Sequence, residues 1–283
     1  MRSFRIGIAA VFILSAALAH GAEPVSRSAP VFSKVMIVIL ENANYKQAIA
    51  QPFLGQLAKS GALLSRSYAV ARPSLPNYIA LTAGTAAGVT SNRPVSLKVP
   101  HIGDLLEAKG KTWKTYAEGY PGRCFLGTRS GNYVRKHVPF LNFENVQKDA
   151  RRCANIVEAA ALHADVTGRK LADYSLYIPD ENNNGHDSGV AFADRWLAQI
   201  FGPLLQNPVF GKGLLFVVTF DEADEDRSNH IYTALAGEPV LSGSLSTEPY
   251  NHYNLLRTVE DALGLGTFGK NDASVSSIAG IWR

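Results

Sequence analysis

Val35-Met36-Ile37-Val38-Ile39-Leu40 is a continuous apolar run, and the polar pair Glu41-Asn42 follows it directly. An apolar run without alternation is typical of a strand that is buried on both faces of a parallel sheet. Similar strand-like runs alternate along the chain with helical stretches. The strand-like runs cover residues 63–69, 112–117, 174–178, 213–220 and 230–236, and the helical stretches cover residues 53–59, 102–108, 190–200 and 254–263. This order predicts an α/β fold, a three-layer sandwich with a mostly parallel central sheet, in which ligands bind beyond the carboxyl ends of the strands.

A second stretch, Arg72-Pro73-Ser74-Leu75-Pro76-Asn77-Tyr78-Ile79-Ala80-Leu81-Thr82-Ala83-Gly84, is predicted to be a loop that enters the first turn of a helix. Pro76 suits that first turn, and the apolar residues that follow end near Gly84. Ser74 is therefore expected beside a helix N-terminus, where backbone N–H groups and the helix dipole favour a phosphate. A hydroxyl at that point could attack phosphorus, although the simpler alternative is that Ser74 only caps the helix.

The beginning of the chain has the features of a secretory signal. Residues 1–22 combine the basic Arg2 and Arg5 with an apolar segment over residues 6–18 and a small-residue cleavage site, which predicts a signal peptide followed by one domain over residues 23–283. The segment is too short for a membrane span, so no integral membrane segment is expected after cleavage. Cleavage would remove two of the 28 lysine and arginine residues and none of the 24 acidic residues, and the small positive charge that remains does not indicate nucleic-acid binding.

The chain has two cysteines, Cys124 and Cys153. Because export would place them where disulfides persist, they are predicted to pair, and two separate buried thiols are the alternative. Neither has a second cysteine at ligand spacing, so a zinc site is not indicated. Cys124 lies in an irregular, aromatic and glycine-rich segment, residues 119–150, that is predicted to be an insertion or lid.

Polar residues follow several predicted strands at the point where each strand ends. Glu41-Asn42, Ser74, the loop 180–187 and Asp221-Glu222 all come after apolar runs, so in a parallel sheet they would share one edge. Any one of them could instead be a solvated loop residue. Together, the acids, Asn42 and the Ser74 oxygen predict an oxygen-rich site for a hard divalent cation, which would bind phosphate and lower the pKa of the serine hydroxyl.

Five segments, spread over about residues 35–265, resemble the bacterial acid phosphatase and phospholipase C family of phosphoesterases within the alkaline-phosphatase-like superfamily. They are an apolar strand that ends in Glu-Asn, a Ser-x-Pro-Asn-Tyr-x-Ala-Leu-x-x-Gly segment, a Pro-Asp…Gly-His-Asp loop, a strand that ends in Thr-Phe-Asp-Glu, and Asn-His-Tyr-x-Leu-Leu-Arg-Thr-x-Glu-Asp near the C-terminus. Within this family the chain is most similar to secreted phosphatases that act on phosphoinositides.

The resemblance implies catalytic roles for individual residues. Ser74 would be the nucleophile that is phosphorylated and then hydrolysed, and Asn77 would donate a hydrogen bond to a phosphate oxygen. His186 and Asp187 would contact the phosphate or protonate the leaving oxygen. His252 matches a family histidine at the edge of the site, although a histidine before a helix is more often a cap or a core partner.

The resemblance also implies metal and substrate ligands. The family's metal positions match Glu41, Asn42, Asp221 and Glu222, and substrate binding is assigned to Arg72 and His137. The dinuclear zinc members have an Asp-His pair in place of Asp221-Glu222. One divalent ion, Ca, Mg or Mn, is therefore expected rather than paired zinc.

These features predict a phosphomonoesterase of acid phosphatase type that is secreted or periplasmic and monomeric. Its substrate would be a small phosphorylated molecule or a phospholipid headgroup, with a phosphoinositide headgroup as one candidate. A phospholipase C-type phosphodiesterase is the alternative. A non-catalytic protein that binds phosphate or a lipid headgroup is a third possibility, and the presence of Ser74 counts against it.

Overall fold

The computed structural model describes residues 31–224 and 226–283, together with Met1. The rest of the predicted signal peptide lies outside the described residues. The strands are β1 (Lys34–Leu40), β2 (Ala62–Leu64), β3 (Ser67–Tyr68), β4 (Trp113–Ala117), β5 (Arg129–Ser130), β6 (Tyr133–Val134), β7 (Ile156–Glu158), β8 (Tyr174–Ile178), β9 (Leu214–Phe220), β10 (His230–Ile231), β11 (Thr233–Gly237), β12 (Ser244–Ser246) and β13 (Tyr250–Asn251). The helices are α1 (Tyr45–Ile49), α2 (Pro52–Ser60), α3 (Ser74–Ala83), α4 (Ile102–Ala108), α5 (Glu144–Gln147), α6 (Ala150–Cys153), α7 (Ala161–Thr167), α8 (Val190–Leu205), α9 (Pro208–Gly211) and α10 (His252–Leu263), with 3₁₀ turns at Arg135–His137, Pro139–Asn142 and Asn271–Ser274.

The central sheet has the strand order β12-β2-β11-β9-β1-β8-β4-β7. The strands from β9 to β7 in this order are parallel to one another, whereas β11 runs antiparallel to both of its neighbours, β9 and β2. β1 lies in the middle of the parallel part and pairs along its length with β9. The sheet is therefore mostly parallel, and the prediction of an α/β fold is confirmed.

Successive residues of β1 point to opposite faces of the sheet, and both faces are covered. Val35, Ile37 and Ile39 belong to a core that includes residues of α3, α4 and α10. Met36 and Val38 belong to a second core that includes residues of α2, α7 and α8. These two cores make the three layers of the sandwich, and they explain why the sequence of β1 is apolar at every position.

Two of the expected strands are each divided between two sheets. The run over residues 63–69 forms β2 in the central sheet and β3 in a small sheet of order β10-β3-β13, and the run over residues 230–236 divides in the same way into β10 and β11. An apolar run does not specify which strand pairs with it, so the sequence could not show this division. The small sheet carries the chain from the central sheet toward Ser74.

The segment 119–150 is partly core and partly an extension toward the carboxyl edge of the sheet. Phe140 and Leu141 are fully buried in the core beside α3. The hairpin formed by β5 and β6 reaches the loop after β8, where the backbone N–H of Glu181 donates to the carbonyl of Asn132 (3.1 Å). Cys124 and Cys153 lie at disulfide distance with their Cα atoms 5.3 Å apart, as their predicted pairing requires. Within the described residues, no helix is long and apolar enough to cross a membrane.

Candidate active site

Ser74 lies among the acidic residues that follow β1 and β9. Its hydroxyl oxygen is 3.2 Å from Glu41 Oε2 and 3.3 Å from Glu222 Oε1, and the side chain is only 2% exposed. The backbone N–H of Asn42 donates to Asp221 Oδ1 (3.4 Å), which joins the ends of the two strands. Asn42 has φ of +47°, a left-handed conformation that asparagine tolerates, and the chain leaves the sheet at this point. The structure therefore brings together groups that are far apart in the sequence.

The helix that presents Ser74 begins at Ser74 itself. Pro73 occupies the N-cap position of α3 and makes no side-chain capping bond. The backbone N–H of Leu75 donates instead to Asn92 Oδ1 (3.0 Å), so a distant asparagine caps this helix. The Ser74 hydroxyl is directed to the acids, which contradicts the alternative that Ser74 only caps the helix.

Asn77 holds the loop that precedes Ser74. Its Oδ1 accepts hydrogen bonds from the N–H groups of Val70 (3.0 Å) and Ala71 (2.9 Å). Its side-chain amide donates to the carbonyls of Ala71 (2.9 Å) and Pro73 (3.3 Å). The amide nitrogen of Asn77 is thus engaged with the loop before Ser74, and its donation to a phosphate oxygen stays a prediction.

Glu41 is a buried carboxylate with two close partners, and only one of them was singled out in the sequence analysis. The hydroxyl of Tyr78 donates to Glu41 Oε1 (2.5 Å), and His137 Nε2 is 3.0 Å from Glu41 Oε2. The rings of Tyr78 and His137 stack with their centroids 5.2 Å apart. Burial raises the pKa of Glu41 to about 7. Sequence reasoning missed Tyr78, although its position four residues after Ser74 on one helix face was a signal that could have found it.

A second set of side chains continues from His137 along the loop after β8. His137 Nδ1 is 3.3 Å from Glu181 Oε1, and burial lowers the pKa of His137 well below its usual value. His186 Nδ1 is 3.6 Å from Glu181 Oε2 and 2.7 Å from Asp187 Oδ1. His186 and Asp187 are therefore connected to the Ser74 region through Glu181 and His137. The sequence analysis did not single out Glu181, and its place in the polar loop 180–187 was the available signal.

The buried polar atoms around Ser74 fit a divalent cation. Two buried acceptor atoms near Ser74, Asn42 Oδ1 and Asp221 Oδ2, have no hydrogen-bond partner within the described residues. Burial raises the pKa of Asp221 well above its usual value, and the charges of Glu41 and Glu222 raise it further. Unpartnered buried acceptors and crowded carboxylates are unfavourable unless a positive charge compensates them. A donor set that consists mainly of oxygen suits Ca²⁺, Mg²⁺ or Mn²⁺.

A second group of possible metal ligands lies at the more exposed side of the site. One ligand atom from each of Glu181, His186 and Asp187 can be chosen so that all three lie within 4.8 Å of one another. The guanidinium of Arg129, from the β5–β6 hairpin, is 3.9 Å from Glu181 and 3.7 Å from Asp187. This group lies outside the set of metal ligands predicted from the sequence.

Arg72 and His252 both lie near Ser74 but are engaged with the protein. Arg72 donates to Glu222 Oε2 (3.2 Å) and to the carbonyl of Asp226 (2.9 Å). His252 is buried at the start of α10, and its Nε2 donates to the backbone carbonyl of Asp221 (2.8 Å). Burial lowers the pKa of His252 to about 4, so the ring is neutral. His252 therefore supports the backbone of Asp221, and its place among the catalytic residues stays a prediction.

The fold is of the alkaline-phosphatase-like class, and it places a serine at the carboxyl edge of an α/β sheet. A protein of the alkaline phosphatase superfamily from Vibrio parahaemolyticus has the same fold, with a TM-score of 0.60 and 13% identity over 90% of this chain and 75% of that chain. The chain belongs to the phosphoesterase family, whose model matches residues 41–266. The fold and the family that the sequence analysis predicted are thus confirmed.

Two relatives show how far the similarity extends. The chain is 35% identical over 245 residues to the phosphatidylinositol-3-phosphatase of Mycobacterium tuberculosis, and the aligned region covers 85% of this chain and 80% of that protein. It is 33% identical over 258 residues to a probable acid phosphatase of Kluyveromyces lactis, and the aligned region covers 87% of this chain and 61% of that protein. The chain therefore spans about three fifths of the length of the fungal relative.

Proposed function

We propose that this protein is a phosphatase that hydrolyses phosphate monoesters through a phosphoserine intermediate on Ser74. The observation that carries the proposal is the position of the Ser74 hydroxyl, buried at the start of α3 and within 3.3 Å of both Glu41 and Glu222. A serine hydroxyl is a weak nucleophile at neutral pH and needs a group that accepts its proton. One relative named above is a phosphatidylinositol-3-phosphatase and the other a probable acid phosphatase, which supports the same reaction class.

The described residues suggest how the reaction proceeds. A divalent cation held by Glu41, Asn42, Asp221 and Glu222 would lower the pKa of the hydroxyl and neutralise the phosphate. The Ser74 oxygen would bond to phosphorus while the ester bond breaks, and its proton would pass to the oxygen of Glu41 or Glu222 that faces the hydroxyl and does not bind the cation. The leaving oxygen gains a proton and departs as an alcohol. Water then attacks the phosphoserine, which releases inorganic phosphate and restores the hydroxyl.

His186 is the proposed donor of the proton that the leaving oxygen gains. Its ring is partly exposed, and Nδ1 is engaged with Asp187 Oδ1 (2.7 Å). Nε2 is then the nitrogen that can exchange a proton with the substrate. The carboxylate of Asp187 would hold the ring in one orientation and one tautomer.

We also propose that the protein acts outside the cytoplasm and accepts phosphoinositide headgroups. The signal-like residues 1–22 and the cysteine pair at disulfide distance support export. The phosphatidylinositol-3-phosphatase relative supports the substrate class. The monomeric state stays a prediction.

The test compares a chromogenic phosphate monoester with the corresponding diester for the wild type, Ser74→Ala and Ser175→Ala. Ser175 is a fully buried serine within β8, so its variant is a matched control. Monoester turnover should be lost in Ser74→Ala and kept in Ser175→Ala. Mass spectrometry after acid quenching should find a phosphoryl group on Ser74. Equal turnover by the wild type and Ser74→Ala would overturn the mechanism, and turnover of the diester alone would favour a phosphodiesterase.

A further inference from the structure

Lys136 is a half-buried lysine beside the site, and its backbone is held firmly on both sides. The guanidinium of the preceding residue, Arg135, donates to the carbonyls of Leu126 (2.8 Å), Val95 (3.0 Å) and Leu141 (2.9 Å). The following residue, His137, is buried between Glu41 and Glu181. The short 3₁₀ turn that carries Lys136 is therefore fixed relative to Ser74.

The ammonium group of Lys136 has no partner of its own within the described residues. No carboxylate lies within 4.0 Å of it there, and it makes no hydrogen bond, whereas Arg72 is paired with Glu222 and Arg129 lies near Asp187. Lys136 directly precedes His137, whose Nε2 is 3.0 Å from Glu41 Oε2, and the same carboxylate oxygen is 3.2 Å from the Ser74 hydroxyl. Lys136 is therefore next in sequence to a residue that contacts the Ser74 region, and within the described residues no direct ion pair neutralises it.

Space is available beside this lysine. Lys136 lines a cavity of about 130 Å³ together with Leu75, which directly follows Ser74. Asn142 also lines this cavity and is 1% exposed, and its Oδ1 has no hydrogen-bond partner in the described part of the chain. A water molecule takes about 30 Å³, so the cavity can admit a small polar group.

The other donors expected for a phosphate at this helix start are already engaged. The N–H of Leu75 is bound to Asn92, and the amide of Asn77 is bound to the carbonyls of Ala71 and Pro73. Arg72 is bound to Glu222. In addition to the divalent cation proposed above, an unpaired cationic side chain would stabilise a phosphate that enters a site this rich in carboxylates.

We propose that Lys136 is a substrate-binding residue whose ammonium group donates to a non-bridging oxygen of the phosphoryl group. The proposal deepens the phosphatase function and rests on it for its role in catalysis, but the binding of phosphate can be measured without turnover. The charge-assisted hydrogen bond would neutralise charge on the phosphoryl oxygens in both the substrate and the transition state.

The test measures the binding of inorganic phosphate by calorimetry to Ser74→Ala, alone and combined with Lys136→Met, Lys136→Arg or Arg151→Met. Arg151 is a control cation whose side chain is 93% exposed and pairs only with the nearby Asp149 among the described residues. Removal of a charge-assisted hydrogen bond should raise the Kd for phosphate roughly 10- to 100-fold in Lys136→Met, with a smaller rise in Lys136→Arg and none in Arg151→Met. Unfolding temperatures would show that each variant is folded.

Two outcomes separate this proposal from its alternatives. If Lys136 acts only by tuning the acids near Ser74, Lys136→Met will shift the pH profile of activity and leave the Kd for phosphate unchanged, which would overturn the proposal. If phosphate binding depends on Lys136 while the wild type hydrolyses no phosphate ester, the phosphatase assignment fails and the binding role of Lys136 stands.

Discussion

Replacing Glu260 by glutamine should stabilise the protein in alkaline solution. Glu260 lies in α10 and is completely buried, and neither of its carboxylate oxygens has a hydrogen-bond partner within the described residues. Asp272, also completely buried, already accepts hydrogen bonds from the N–H groups of Phe268 (2.6 Å) and Lys270 (2.9 Å). Burial, and then the charge of Asp272, raise the pKa of Glu260 from 4.5 to about 8.

The direction and size of the effect follow from this difference in pKa. Because the folded protein holds the proton of Glu260 more tightly than the unfolded chain does, the stability contributed by the protonated form is fully present below pH 4.5 and is lost as the pH rises to about 8. Each pH unit of difference corresponds to about 1.36 kcal/mol, so this residue alone should reduce the free energy of unfolding by about 3.5 kcal/mol between pH 5 and pH 8. Glu260→Gln removes the titrating group and therefore this loss.

Urea unfolding of the wild type and Glu260→Gln at pH 5, 6, 7 and 8 would measure the effect. The two proteins should differ by no more than about 1 kcal/mol at pH 5, and the variant should be the more stable by about 3 kcal/mol at pH 8. Glu248→Gln is a control, because Glu248 is exposed and lies outside α10. A difference in stability between wild type and Glu260→Gln that does not change with pH would refute the reasoning. The result matters for the site, because α10 begins at His252, which supports the backbone of Asp221.

Three further predictions concern the site and its support. Tyr78→Phe should lower kcat/KM for a phosphate monoester roughly 10- to 100-fold, because buried Glu41 loses a donor. Tyr174→Phe should leave kcat/KM unchanged, because the buried Tyr174 hydroxyl has no partner in the described chain. Equal losses in the two variants would contradict this prediction. Replacement of both Cys124 and Cys153 by alanine should reduce the free energy of unfolding by roughly 3–4 kcal/mol, because the bridge would close a loop with a sequence separation of 29 residues. Unchanged stability of this variant in non-reducing buffer would argue against pairing. Chelation by EDTA should abolish turnover and lower the unfolding temperature at pH 8. Added Mg²⁺, Mn²⁺ or Ca²⁺ should restore both the turnover and the unfolding temperature. Full activity after exhaustive chelation would exclude the proposed role of the cation.

Part of the site was accessible from local sequence patterns. Glu41, Asp221 and Glu222 were located because each follows an apolar strand, and parallel strands end at the same edge of a sheet. Ser74 was located because helix-starting residues follow it. These signals depend on residues within a few positions of one another, which is the range over which sequence patterns predict structure.

The contacts of Asn77, Tyr78 and Glu181 could not be predicted from local sequence patterns. Asn77 fits the family segment, but its amide is engaged by the loop before Ser74, and this depends on how that loop folds back. Tyr78 contacts Glu41, and Glu181 contacts His137, and in each pair the two residues come from different elements of the chain. Their partners depend on packing between elements, and neither composition nor periodicity reports that packing.

By itself, the sequence determined the class of fold, the order of its main elements and the edge of the sheet at which the polar groups gather, because buried strands must be apolar and loops must follow them. Only the tertiary structure decided that two apolar runs divide between sheets, that Asn77 faces its own loop, and that Lys136 has no ion-pair partner within the described residues. Those features depend on contacts between residues that are distant along the chain, and such contacts are selected by the packing of the whole domain rather than by any local segment.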